Sequence, residues 1–377
     1  MAAGWRRGAY RVHAWLGLAS SLLVVLVSLT GAPLVFRHEI DAWLAPERPR
    51  LLEHAPLPVD QAVAAVLARR PGAVPASVSY PRDAYGRPDP AEPLGLVLRL
   101  RDGRSEMVSI GLYDGRELRQ PDFRLGQFLR DIHVRLYLLK PGWLYALGHV
   151  LVGLLGVAMV VSAVTGLLFH RHLLRDMLRL RIFHSRRLLL SDLHRLAGLW
   201  LLAFHLAVAV SGAVISTVVL PGIYRQLAGA QAAPPAVSAM PQPSLPLAAI
   251  ERIAARELPG AAIMYVRFPA RSDAGIVVWL NDRSPWIRQG ASRIVLDASG
   301  GVVREVVRAG EASWPVRIYN LMWPLHFGTF GGLPVKIAYA VFGLVSALLG
   351  ITGLLIWRER TFRQRRTKKP GTGRALS

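Results

Sequence analysis

No cysteine occurs in the 377 residues. Disulfides, iron–sulfur clusters, thiol catalysis and covalent c-type haem attachment are thereby excluded. Acid is scarce too: 24 Asp and Glu stand against 46 Lys and Arg, a formal net charge of +22. The chain has no Walker motif, no dinucleotide fingerprint and no zinc-protease motif, so no flavin, nicotinamide or nucleotide site is recognisable. The run Gly328-Thr329-Phe330-Gly331-Gly332 is glycine-rich but follows no predicted strand, which removes a nucleotide reading of it as well.

What the chain has is apolar length. Crossing the hydrocarbon of a bilayer takes about 20 apolar residues. Val12 to Phe36 is such a stretch and holds no Asp, Glu, Lys or Arg. Trp143 to Phe169 holds one ionisable residue, His149. Leu196 to Leu220 holds His205, and Leu333 to Trp357 has only Lys336 near its start. Four membrane spans are expected, the first as an uncleaved anchor, since it is too long for a signal-peptide core.

The arginines orient the spans. Arg6, Arg7 and Arg11 precede the first; Arg171, Arg175, Arg179, Arg181, Arg186 and Arg187 lie between the second and third; Arg358 to Arg374 follow the fourth. With four spans all three clusters fall on one side, which the positive-inside rule makes cytoplasmic. The expected layout is a cytoplasmic N-terminus (1–11), TM1 (12–36), an outer domain (37–142), TM2 (143–170), a basic cytoplasmic loop (171–193), TM3 (194–220), a second outer domain (221–332), TM4 (333–357) and a basic cytoplasmic tail (358–377). Topology and attraction to anionic membrane lipid account for the positive charge, so no nucleic-acid partner is expected.

The chain repeats itself. His13-Ala14-Trp15-Leu16-Gly17 recurs as His194-Arg195-Leu196-Ala197-Gly198, and Thr165-Gly166-Leu167-Leu168 as Thr352-Gly353-Leu354-Leu355. In the loops, Leu57-Pro58, a helical run from Gln61 to Arg70 and Pro71-Gly72 answer to Leu245-Pro246, a run from Ala248 to Glu257 and Pro259-Gly260. Strand-like runs follow (Leu94 to Leu100; Gly275 to Leu280), then hairpin turns at Tyr113 to Leu118 and Asp297 to Val303. The predicted fold is an α-helical membrane protein of four spans in two duplicated units, with two small α+β domains outside the cytoplasm.

Eleven histidines mark the candidate site. His13, His170, His172 and His194 sit near the cytoplasmic span ends, His205 and His149 within spans, and His133 and His326 just before TM2 and TM4. An ionisable group in hydrocarbon is a functional-site hypothesis by default. Histidines at two depths suit a b-type dihaem arrangement with imidazoles from different helices as axial ligands. The candidate ligands are His13, His194, His149, His205, His133 and His326, with His170 a further possibility at the cytoplasmic level. On a straight helix, His194 and His205 would share a face three turns and roughly 16 Å apart. His13 paired with His194 leads at the cytoplasmic level; no outer pair is singled out. The alternatives are interfacial histidines at 13 and 194 and interhelical hydrogen bonds at 149 and 205.

Six motifs in order (His13 to Gly17, Leu129 to His133, Thr165 to Leu167, Asp192 to Arg195, Leu325 to Gly328, Thr352 to Leu354) resemble the PepSY-associated transmembrane proteins over nearly the whole chain. Within that family the chain is similar to ferric-siderophore reductases of the FoxB type. The resemblance implies PepSY-like outer domains, a bacterial inner-membrane location, two haem b groups per chain, a ferric siderophore as substrate, and quinol or a cytoplasmic reductant as electron donor. It also implies a substrate cleft near His133 and His326, with Trp314, Tyr319, Trp323 and Phe327 as lining or as plain core aromatics. A non-enzymatic transport accessory and a PepSY-type regulatory or sensor protein are the competing readings.

Overall fold

The apolar runs become helices because a bilayer leaves the backbone no other partner than itself. In the computed structural model, which describes residues 2–139, 142–169, 175, 177–217, 245–269, 275–282, 284–297 and 301–367, α1 spans Ala2–Leu34 and α5 spans Gly142–Phe169. The last helix, α10, spans Gly332–Thr367. These three are each long and apolar enough to cross a membrane.

The third predicted span is different. It is a pair, α6 (Arg186–Trp200) and α7 (Leu202–Ser216), bent by 67° at Leu201. Among the described residues there are four spans only if the pair counts as one. Leu201 leaves helical angles with φ −100 and ψ 16. No proline sits there; instead the Trp200 indole donates to the Met177 carbonyl at 2.9 Å, tying the end of α6 to the link before it. The straight-helix relation between His194 and His205 is therefore corrected: the bend falls between them, and they share no continuous face.

The chain divides into two units, one of residues 1–35, 127–223 and 333–377, the other of residues 36–126 and 224–332. In the first, α1 and α7 both pack on α5, and α1 also meets α10. Small residues set these approaches. A Cβ on Gly156 of α5 would lie 2.7 Å from the Ala209 carbonyl of α7, so only glycine permits that spacing.

The second unit contains α2 (Arg37–Trp43), α3 (Val59–Ala68), α8 (Leu247–Glu257) and α9 (Trp314–Phe327). Its strands are β1 (Val74–Ser79), β2 (Leu94–Arg99), β3 (Ser105–Ile110), β4 (Glu117–Leu118), β5 (Ala262–Arg267), β6 (Ile276–Asn281), β7 (Ser292–Leu296) and β8 (Val303–Val307). The sequence predicts one sheet per loop. The structure instead has one antiparallel sheet of eight strands in the order β4-β3-β2-β1-β5-β6-β7-β8. The join is β1 on β5, with Val78 opposite Val266 and Ser79 opposite Tyr265. Pairing of the two would-be edges removes exposed backbone groups that either sheet alone would leave open. Alternating burial along β2 and β6 gives the sheet one apolar face. Leu94, Leu96, Leu98, Ile276, Val278 and Leu280 pack there with Val66 of α3 and Ile250 of α8. The glycine-rich run after His326 proves to be a helix stop: Gly328, at φ 66 and ψ 27, ends α9 in the left-handed region.

Candidate functional site

His13 on α1 and His194 on α6 meet, their ring centres 6.2 Å apart and their planes at 83°. Each ring is held from behind by a different helix. His13 Nδ1 lies 2.8 Å from the Ser162 carbonyl of α5. His194 Nδ1 lies 3.0 Å from the Leu349 carbonyl and 3.0 Å from the Thr352 hydroxyl, both on α10. A carbonyl only accepts, so each Nδ1 carries the proton and donates. Thr352 passes its own proton to the Leu348 carbonyl at 2.8 Å, which leaves its oxygen free to accept. Glycines make room for both rings: a Cβ on Gly166 would be 3.3 Å from His13 Cε1, and one on Gly353 3.4 Å from His194 Cε1. Phe169 stands edge-on to His13 at 5.4 Å, Tyr10 edge-on to Phe169 at 5.6 Å, and the Arg360 guanidinium 5.2 Å over Tyr10.

Neither Nε2 makes a hydrogen bond among the described residues. A neutral imidazole with Nδ1–H fixed on a carbonyl and a free Nε2 is the usual state of a metal-ligating histidine. Two metal–nitrogen bonds of about 2 Å laid end to end put two imidazole centres about 6 Å apart. The separation found here suits that arrangement. No group of three or more His, Cys, Asp or Glu that could hold a metal occurs among the described residues. The pair thus offers two ligands and no protein cage.

Below His194 the chain is locked by Asp192, which is wholly buried. Its Oδ2 accepts from the Arg181 amide at 3.0 Å and from Arg181 Nε at 2.9 Å; its Oδ1 accepts from Arg181 Nη2 at 2.8 Å and Arg195 Nη2 at 2.9 Å. Sequence reasoning quoted Asp192 within a motif and gave it no role. The available signal was an acid in a strongly basic link.

His133 lies on α4 (Leu125–Arg135). Its Nδ1 donates to the Val27 carbonyl at 2.9 Å, with the Thr30 hydroxyl at 3.5 Å, and its ring covers Gly31. Asp131, buried two residues earlier, pairs with Arg135 and accepts from Gln127 at 2.6 Å. α4 ends in two non-glycine residues at positive φ, Leu136 (53) and Tyr137 (60). That conformation is uncommon and collects at functional or tightly constrained sites.

His149 is buried, bonded through Nδ1 to the Tyr145 carbonyl at 3.0 Å, one turn back in its own helix. Arg135 sits 4.7 Å over the Tyr145 ring. His205 is buried with Nε2 2.9 Å from the Ser346 hydroxyl of α10, a link between two helices. His326 lies on α9 in the other unit, its ring 5.7 Å from Phe327. Tyr319, Trp323 and Phe327 follow one another edge-on along the same helix, at 6.3 and 5.7 Å. His170 and His172 lie outside the described residues.

A helical membrane bundle with paired imidazoles, carried together with an antiparallel sheet unit, defines the class. The model of the PepSY-associated TM region matches residues 10–360, and the chain belongs to that family. An uncharacterised protein of Pseudomonas aeruginosa is 29% identical over 260 residues, 62% of this chain and 63% of the relative. The match thus spans less than two thirds of that relative's length.

Proposed function

We propose that this chain is an inner-membrane, haem b-dependent reductase of ferric siderophores. Its termini and basic link lie in the cytoplasm, and its two loops form PepSY-like modules in the periplasm. The observation that supports this best is the pair His13 and His194, 6.2 Å apart with both Nδ1 atoms committed to carbonyls. A metal with two protein ligands needs its remaining positions filled by a cofactor, as a porphyrin fills them. Haem iron bound there would supply reversible one-electron chemistry. The carbonyls of Ser162 and Leu349 fix the ligating tautomer, and Gly166 and Gly353 leave the rings their space. Asp192, through Arg181 and Arg195, holds the helix turn that presents His194.

Reduction releases iron because siderophores bind the ferric ion far more tightly than the ferrous one. The motif repeats and the palindromic strand order are consistent with two duplicated units. In this reading a second haem sits towards the outer side, where His133, His149, His205 and His326 are the candidates. Quinol or a cytoplasmic reductant is the electron donor. A reduced-minus-oxidised spectrum of the detergent-purified protein, with a pyridine haemochrome count, tests the proposal. A b-type spectrum with two haems per chain supports it; a protein that stays colourless after haem addition overturns it.

One observation favours a second reading. The 67° break between α6 and α7 is of the discontinuous kind that transporters place at their binding sites. A transport accessory would accumulate siderophore in proteoliposomes without any electron donor.

A further inference from the structure

Between α5 and α6 the link from Met177 to Ser185 carries four large apolar side chains that stand exposed among the described residues. Phe183 is 96% exposed and Leu178 80%; Ile182 and Leu180 are open as well. They alternate with Arg179 and Arg181 and run into Arg186 and Arg187. Such exposure normally goes with a floppy segment, yet this backbone is pinned at three places. The Met177 carbonyl accepts from the Trp200 indole at 2.9 Å, and the Arg179 carbonyl from Arg195 at 2.6 Å. The Arg181 amide and side chain are clamped by buried Asp192. The result is a ledge held in a fixed conformation with its apolar side chains turned outward.

We infer that this ledge is a docking surface for anionic phospholipid headgroups of the bilayer in which the chain sits. Phe183, Leu178 and Ile182 enter the boundary between headgroups and acyl chains, and Arg179 meets the phosphates, while Arg186, further along the chain, is paired to Glu359 at 3.6 Å. Three observations select lipid over an acidic protein. The ledge follows closely on the end of the α5 span and leads directly into the bent span. Exposed Trp15 and Trp357 lie beside the arginines of α1 and α10 (Arg11; Arg358 and Arg360), as interfacial anchors do, and Trp200, exposed as well, is bonded to the ledge itself. Apolar side chains interleaved with arginine are the pattern of segments lying in the plane of an anionic interface. The inference stands apart from the redox reading, because it needs no cofactor.

The cysteine-free chain makes the test direct. Phe183→Cys, with Ile182→Cys as a second site should the first not fold, is labelled with an environment-sensitive fluorophore in the full-length protein. The protein is reconstituted into vesicles of phosphatidylcholine alone or with phosphatidylglycerol. Nitroxide-bearing lipids quenching the label, more strongly with phosphatidylglycerol, is the expected result. Arg179→Gln should lower the inserted-to-free ratio about fivefold, the loss for one basic residue at an anionic surface. Quenching by aqueous iodide and not by lipid overturns the inference. So does shielding from both quenchers, which would mean a protein contact, and so does equal lipid quenching in the two compositions.

Discussion

Asp60 and Leu247 belong to different loops and are joined by a hydrogen bond of 2.8 Å from the Leu247 amide to Asp60 Oδ1. The Ala248 amide reaches Oδ2 at the same distance. Pro246, at the N-cap of α8, has no side chain able to accept, so an acid of the other loop caps the helix instead. Asp60→Ala should lower the stability of the sheet unit by about 1–2 kcal/mol. Thermal unfolding of the purified protein measures this, and an unchanged midpoint would deny the cap any energetic weight.

Removing either imidazole of the His13 and His194 pair should abolish haem binding at that level. Thr352→Val is the finer probe. It removes the hydroxyl beside His194 Nδ1 and keeps the shape of the side chain. Loss of such a supporting partner typically costs 10–100-fold in affinity for the bound metal, and a loss of about tenfold is expected in haem titration. Retention of full haem content in His13→Ala and His194→Ala together would remove the pair from consideration as ligands.

His133 and Gly31 are coupled by space. A Cβ at position 31 would come 2.6 Å from His133 Cε1. Gly31→Ala should therefore destabilise the helical unit, whereas the same change in a His133→Ala background should be well tolerated. The double-mutant cycle reads the coupling directly. Equal penalties in the two backgrounds would show that the ring yields without cost.

Arg70 clamps two carboxylates of the sheet unit, donating to Glu117 at 2.8 Å through both Nη atoms and to Glu106 at 2.8 Å. Those hydrogen bonds hold the Glu117 carboxyl below its ordinary value and push the Arg70 guanidinium up. A carboxylate with a lowered folded pKa stabilises fully above its unfolded value and loses that contribution as pH falls through the folded one. Stability should thus decline in acid, below the ordinary glutamate range, and Glu117→Gln should flatten the decline. Unfolding midpoints measured from pH 7 down to pH 3 would show it.

The spans were legible because hydrocarbon thickness imposes a length of apolar sequence that little else requires. The break at Leu201 was not: no proline or glycine occupies the position, and the contact found beside it, a hydrogen bond from Trp200 to a carbonyl in the preceding link, leaves no mark in a sequence pattern. α3, α8, β2 and β6 fell close to their expected places through periodicity and turn residues. The β1–β5 pairing was invisible, since alternation gives each strand a face but says nothing of its neighbour. For the candidate site, motif position nominated His13 and His194. What no pattern contains is the partner of each Nδ1, because a backbone carbonyl carries no residue identity.

The join between Ser77 and Arg267 also bears on how the molecule is made. Ribosomes deliver the first loop well before the second, so the Val74–Ser79 strand waits with an open edge until β5 emerges. An open strand edge is a template for foreign chains as much as for the right one. Emergence of the second loop is thus also the step that shields the first from aggregation, and a chain truncated after residue 217 would leave that edge open for good.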